Sequence, residues 1–165
     1  MLFRSYKGSF EIELESEVET IFLKDCVFGD VLLLSGQSNM EFLVYQSQDV
    51  DIIETDLIRY FEVPKLPFEG AHLEFPHLFT KQPKWFKATQ ETIPWMSAIG
   101  YLIAKEWIHD TNRPIGLIGC SMGDTSVISW VKRDHLYENQ RLSRLLNQYQ
   151  FEVEKYPSVD RKSVV

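Results

Sequence analysis

Two short apolar runs, each breaking off into a loop of small residues, restrict the folds open to this chain more than any other feature. Val31-Leu32-Leu33-Leu34 follows Gly29-Asp30 and gives way to Ser35 through Asn39; Ile115-Gly116-Leu117-Ile118 gives way to Gly119 through Thr125. An apolar run without polar alternation suits a parallel strand covered on both faces. Ile58 to Val63 supplies a third such strand, ended by Pro64, which has no ladder donor, and followed by a turn at Pro67-Phe68-Glu69-Gly70. Met96, Ile99, Ile103 and Trp107, with Leu102 widening the stripe, recur at helical spacing until Asn112-Arg113-Pro114 stops the helix. Met40, Leu43 and Val44 resume helical spacing after the first loop, and Leu142, Leu145, Leu146, Tyr149 and Val153 predict an amphipathic helix over 136–154. Strands alternating with helices imply a parallel sheet wound by right-handed crossovers, whose functional loops lie beyond the strand carboxyl ends. Both small-residue loops fall there.

The remaining segments set the expected organisation. Phe10, Ile12 and Leu14 alternate with carboxylates, as in a half-exposed antiparallel strand or hairpin. A domain boundary is therefore read near residue 28, with 1–28 as a preceding β-segment, 29–133 as an α/β domain and 134–165 as a helical extension and tail. The aromatic, proline-punctuated stretch from the Pro67–Gly70 turn to Pro94 reads as mostly loop.

Composition narrows the partners. The 165 residues carry 17 basic and 24 acidic side chains, a formal charge of -7, which repels phosphate backbones and anionic membrane surfaces. Neither nucleic acid nor a membrane is expected as a partner. Cys26 and Cys120 have no metal-ligand or disulfide spacing and are expected to be reduced thiols. Polar residues interrupt Met1 to Phe10, so no signal peptide is read there and a cytoplasmic location is favoured.

The sharpest local feature is Gly36-Gln37-Ser38-Asn39-Met40, between a strand and helical spacing. Such a turn can hold a serine hydroxyl at the sheet rim, beside backbone amides able to stabilise negative charge on a carbonyl oxygen. The hydroxyl still needs a base to become a good nucleophile. Judged from physics alone, Ser38 or Asn39 capping the next helix is the commoner role, and Met40 departs from the Gly-x-Ser-x-Gly elbow. In the second loop, Gly123 allows close backbone approach and its N–H could donate to an oxyanion.

Taken together, Phe28-Gly29-Asp30-Val31 and Ser35-Gly36-Gln37-Ser38-Asn39-Met40-Glu41-Phe42 resemble the first block of the sialate O-acetylesterase family, a branch of the SGNH (GDSL-like) hydrolases. Ile58-Arg59-Tyr60-Phe61, Ser97-Ala98-Ile99-Gly100-Tyr101, Pro114 through Ile118, Gly123-Asp124-Thr125 and Trp130 resemble later family blocks in order. The resemblance covers about residues 10–133 and outweighs the capping role for Ser38. It implies a three-layer, flavodoxin-like α/β fold, here incomplete, and hydrolysis of acetyl esters on sugars through an acyl-serine, with no cofactor or metal. By resemblance Ser38 is the nucleophile, the amides of Ser38 and Gly123 form part of the oxyanion hole, and Gln37 and Asn39 are substrate-binding candidates.

Two departures qualify this. Asp124 stands where the family has a second glycine, adding a side chain beside the expected oxyanion site. No counterpart of the later Gly-Glu-Ser-Asn-type block or of the Asp-x-x-His motif is found, so the chain reads as a shortened member lacking its base. His135, His72, His77 and His109 are all poor substitutes on sequence grounds. The alternative reading is a non-catalytic remnant that binds a glycan or partner. The expected partners are an O-acetylated sugar and, through uncovered sheet edges and faces, a second copy or the missing remainder of the chain.

Overall fold

The structure is a computed structural model that describes residues 8–65 and 83–155. Strands β1 (Phe10–Glu15) and β2 (Thr20–Cys26) form an antiparallel hairpin, a two-stranded sheet of their own. The Ser16 hydroxyl closes its turn by accepting from the Glu19 amide at 3.0 Å. The hairpin is the one the alternation predicts, but Leu14, Ile21, Phe22 and Leu23 are all substantially exposed. At its far end Asp25, in the left-handed region with φ 55°, forms a two-pronged ion pair with the buried Arg59, and Phe10 stacks on Phe28 with centroids 4.7 Å apart.

The second sheet contains β3 (Asp30–Gly36), β4 (Thr55–Glu62), β5 (Phe86–Ala88) and β6 (Ile115–Ser121), in the order β3-β6-β4-β5. The three expected strands run parallel, with β6 between the other two. Strand β5 pairs antiparallel with β4. It falls in the stretch that reads as loop, because three residues flanked by prolines and polar groups carry too little periodicity to register.

The α-helices among the described residues are α1 (Ser38–Glu41), α2 (Ala98–Thr111), α3 (Arg133–Glu138) and α4 (Gln140–Lys155), with 3-10 turns at Val44–Gln46, Ile93–Trp95 and Val127–Trp130. Ser97 caps α2 by accepting from the Gly100 amide at 3.3 Å, and Asn112 ends it in the left-handed region at φ 50°. The predicted helix over 136–154 is broken at Asn139, whose side-chain oxygen accepts from the Arg141 and Leu142 amides and so caps α4.

The core joins one sheet face to α2. Leu34, Ile58, Tyr60, Ile115 and Leu117 pack with Tyr101 and Ala104, and with Val44, Ile93 and Met96 from the connecting segments. The stripe expected on α2 holds only at its ends, where Met96 is buried and Trp107 packs against the core. Ala98, Gly100, Tyr101 and Ala104 are buried, whereas Ile99, Leu102 and Ile103 are exposed. Gly100 explains the choice: a Cβ there would stand 2.3 Å from Leu34 Cδ1, so α2 approaches the sheet along its small-residue side. On the opposite sheet face Trp85 lies over Gly116 beside Val31, yet Val31 and Leu33 remain 59% and 63% exposed. The apolar run therefore marks two apolar faces, of which the described residues bury one well.

Candidate active site

The two small-residue loops meet because β3 and β6 are direct neighbours, with Gly36 opposite Ser121. Gly36 adopts φ 144°, a setting that L side chains seldom take, and this lets the strand turn sharply into Gln37. Its carbonyl accepts from the Met122 amide at 2.9 Å, tying the second loop to the first. A Cβ on Gly123 would lie 4.0 Å from Ser38 Cα. The structure thus brings the two predicted site loops together.

Helix α1 is a single turn, shorter than the spacing of Met40, Leu43 and Val44 suggests. The amides of Met40 and Glu41 donate to the Gln37 carbonyl and that of Phe42 to Ser38. Phe42 then leaves the helix because its carbonyl takes the Ala98 amide at 2.7 Å, and Leu43 bridges to Ser97. A one-turn helix contributes little macrodipole, so charge stabilisation here rests on individual N–H groups. The amides of Ser38 and Asn39 precede the first intrahelical donors and have no partner within the turn.

Ser38 is exposed at the rim, flanked by exposed Gln37 and Asn39. The helix-capping position falls on Gln37, which makes no capping bond, so the commoner structural role is not the one Ser38 fills. Among the described residues no hydrogen bond engages the Ser38 hydroxyl, and none links a histidine to it.

Gly123 departs from a simple oxyanion donor. Its N–H donates to the Glu41 carboxylate, whose other oxygen accepts from the Lys65 ammonium. Lys65 also lies 3.9 Å from Glu62, which accepts the Tyr60 hydroxyl at 2.7 Å. The Lys65 ammonium, with the Gly123 amide assisting, holds the Glu41 carboxyl below its ordinary range against the cost of burial. Burial pushes Glu62 upward despite its bond from Tyr60, and burial followed by the bond to Glu62 raises Tyr60. Asp124 takes φ 60°, which accounts for a glycine at that family position and for aspartate as a tolerable replacement. Thr125 braces the same loop, donating to the Met122 carbonyl at 2.7 Å and accepting from the Trp130 indole at 2.9 Å.

The histidines lie elsewhere or have other partners. His109 ends α2, which leads into the start of β6, so it sits at the opposite end of the sheet from Ser38, with Asp110 at 3.0 Å. His135 faces Glu138 at 3.4 Å. His72 and His77 fall outside the described residues. Cys26 and Cys120 are free and half-buried, and burial, then the Glu62 charge, raises the Cys120 thiol.

Sequence reasoning misses Glu41 and Lys65 as parts of the site. Glu41 stands inside the first family block, but its partners are 24 and 82 positions away, on loops that follow different strands. No local pattern encodes such a meeting.

Comparison with known proteins gives the family of this mostly parallel α/β sheet with an exposed serine at its carboxyl edge. Residues 28–154 match the model of the carbohydrate esterase, sialic acid-specific acetylesterase family, and the chain belongs to that family. It is 32% identical over 134 residues to sialate O-acetylesterase of Homo sapiens, covering 74% of this chain and 26% of that protein. Sialate O-acetylesterase of Mus musculus is 31% identical over 141 residues, covering 76% of this chain and 25% of that protein. The chain thus spans about a quarter of the length of the curated relatives it matches. The crystal structure of a carbohydrate acetylesterase from Xanthomonas citri superposes with a TM-score of 0.65 at 26% identity, over 78% of this chain and 29% of that one.

Proposed function

We propose that this chain carries the nucleophile half of a carbohydrate O-acetylesterase acting on acetylated sugars such as O-acetylated sialic acid. Ser38 Oγ attacks the acetyl carbonyl carbon, and the tetrahedral intermediate collapses with release of the sugar hydroxyl, leaving acetyl-serine. Water then attacks the acetyl group, giving acetate and restoring the serine. The negative oxygen formed in each attack is held by the Ser38 amide, while the Gly123 amide, engaged by Glu41, fixes the neighbouring loop beside it. Gln37 and Asn39, exposed on either side, contact the sugar.

The observation that carries this reading is the exposed Ser38, uncommitted to capping, beside the Gly123 loop at the carboxyl edge of the parallel strands. The described residues bring no histidine to Ser38, so proton removal falls to a base outside them and turnover by these residues alone is slow. The test is hydrolysis of an aryl acetate by the purified chain, with Ser38→Ala as control. Loss of the enzyme-dependent rate in the variant supports the reading; equal rates in both proteins reject Ser38.

A further inference from the structure

The three parallel strands end in three different loops, and one side chain touches all of them. Glu41 belongs to the turn after β3, its carboxylate takes the Gly123 amide from the loop after β6, and it takes the Lys65 ammonium from the segment after β4. A side chain at position 123 would crowd this carboxylate, since a Cβ there would meet Glu41 Oε2 at 2.7 Å. From Lys65 the network continues to Glu62 and, through it, to the buried Tyr60 hydroxyl.

From this geometry we infer that Glu41 is a positioning residue, which pins the Gly123 and Lys65 loops against the turn that presents Ser38. The inference rests on the esterase reading only for its effect on turnover; the loop clamp itself stands on the hydrogen bonds. A carboxylate accepting from a backbone amide and an ammonium together makes two charge-assisted bonds, the strong kind. Glutamine at position 41 keeps an acceptor for the Gly123 amide but loses the attraction to Lys65. Alanine loses both. The charges around Glu41 are Lys65 and Glu62 from the β4 side and Asp124 beside Gly123 on the β6 side, so the clamp is strongest while Glu41 is ionised and Lys65 protonated.

The experiment uses the full chain and three variants: Glu41→Ala, Glu41→Gln and Lys65→Met. Protection of the Gly123 amide against hydrogen exchange should fall about tenfold or more in Glu41→Ala, with partial retention in Glu41→Gln and Lys65→Met. The Gly123 amide resonance should move with the titration of a carboxyl in the wild type and stay still in Glu41→Gln, which merely structural packing would not produce. Aryl acetate turnover should fall through kcat rather than KM in Glu41→Ala and recover in part in Glu41→Gln. Unchanged Gly123 protection in Glu41→Ala would overturn the clamp, and so would faster turnover in that variant, since Glu41 would then be obstructing the amide. Should Ser38→Ala retain full turnover while the exchange results hold, the esterase reading fails and the clamp survives.

Discussion

Gly29 lies so close to Pro114 that a Cβ on it would stand 2.1 Å from the Pro114 carbonyl oxygen. The contact joins the segments that lead into β3 and β6, and the next residue, Asp30, donates its amide to that same carbonyl at 3.1 Å. Because the obstruction is backbone, no rotamer change relieves it. Gly29→Ala is therefore expected to lose about 1–3 kcal/mol of stability, measured by urea unfolding; an unchanged midpoint would mean that the starts of the two strands separate easily.

The left-handed conformation of Asp124 gives a second prediction. A β-branched residue at φ 60° is strained, so Asp124→Val should cost about 1–2 kcal/mol, whereas Asp124→Gly should be tolerated. Thermal melting of the two variants separates them, and equal melting temperatures would contradict the assigned backbone conformation.

Asp25 sets a pH dependence. The bond from Arg59, aided by Lys87 at 3.2 Å, holds its carboxyl well below the usual range despite the desolvation that opposes it. A depressed carboxyl favours the fold fully above its unfolded value of about 4 and loses that contribution as pH falls below it. Asp25 is 41% exposed at its side chain, so solvent screening keeps the effect small. Asp25→Asn should melt lower than wild type at pH 7, and the gap should narrow as the pH drops below about 4. A gap independent of pH would remove the ion pair as its cause.

Val31 and Leu33 leave an open apolar face on β3, with Phe28 a further 67% exposed. Exposed apolar surface of this kind favours association. Sedimentation of the chain should show a concentration-dependent shift toward larger species, reduced in the double variant Val31→Thr, Leu33→Thr. A monomer at all concentrations would contradict this.

Much of the sheet is legible in the sequence because uninterrupted apolar runs ending in glycine-bearing loops have few other uses. The hairpin, the three parallel strands and the end of α2 at Asn112 all follow from local pattern. What local pattern lacks is the identity of the neighbour. The size of Ile99, Leu102 and Ile103 points to the wrong α2 stripe, because the close fit of Gly100 against Leu34 turns the small side inward. The length of α1 escapes local pattern for the same reason, since Phe42 is drawn out of the helix by Ala98, a residue far along the chain. Ser38 is visible from its block, whereas the tie between Glu41 and Gly123 exists only once β3 and β6 lie side by side.

The esterase reading requires that Ser38 accept an acyl group. Incubating the purified chain with an excess of aryl acetate, quenching in acid and mapping the peptides by mass spectrometry reads this directly. The expected result is a single acetyl adduct on the peptide bearing Ser38, absent in Ser38→Ala. An acetyl group on another residue, or a Ser38 peptide that stays unmodified while the aryl alcohol is released enzymatically, would contradict it.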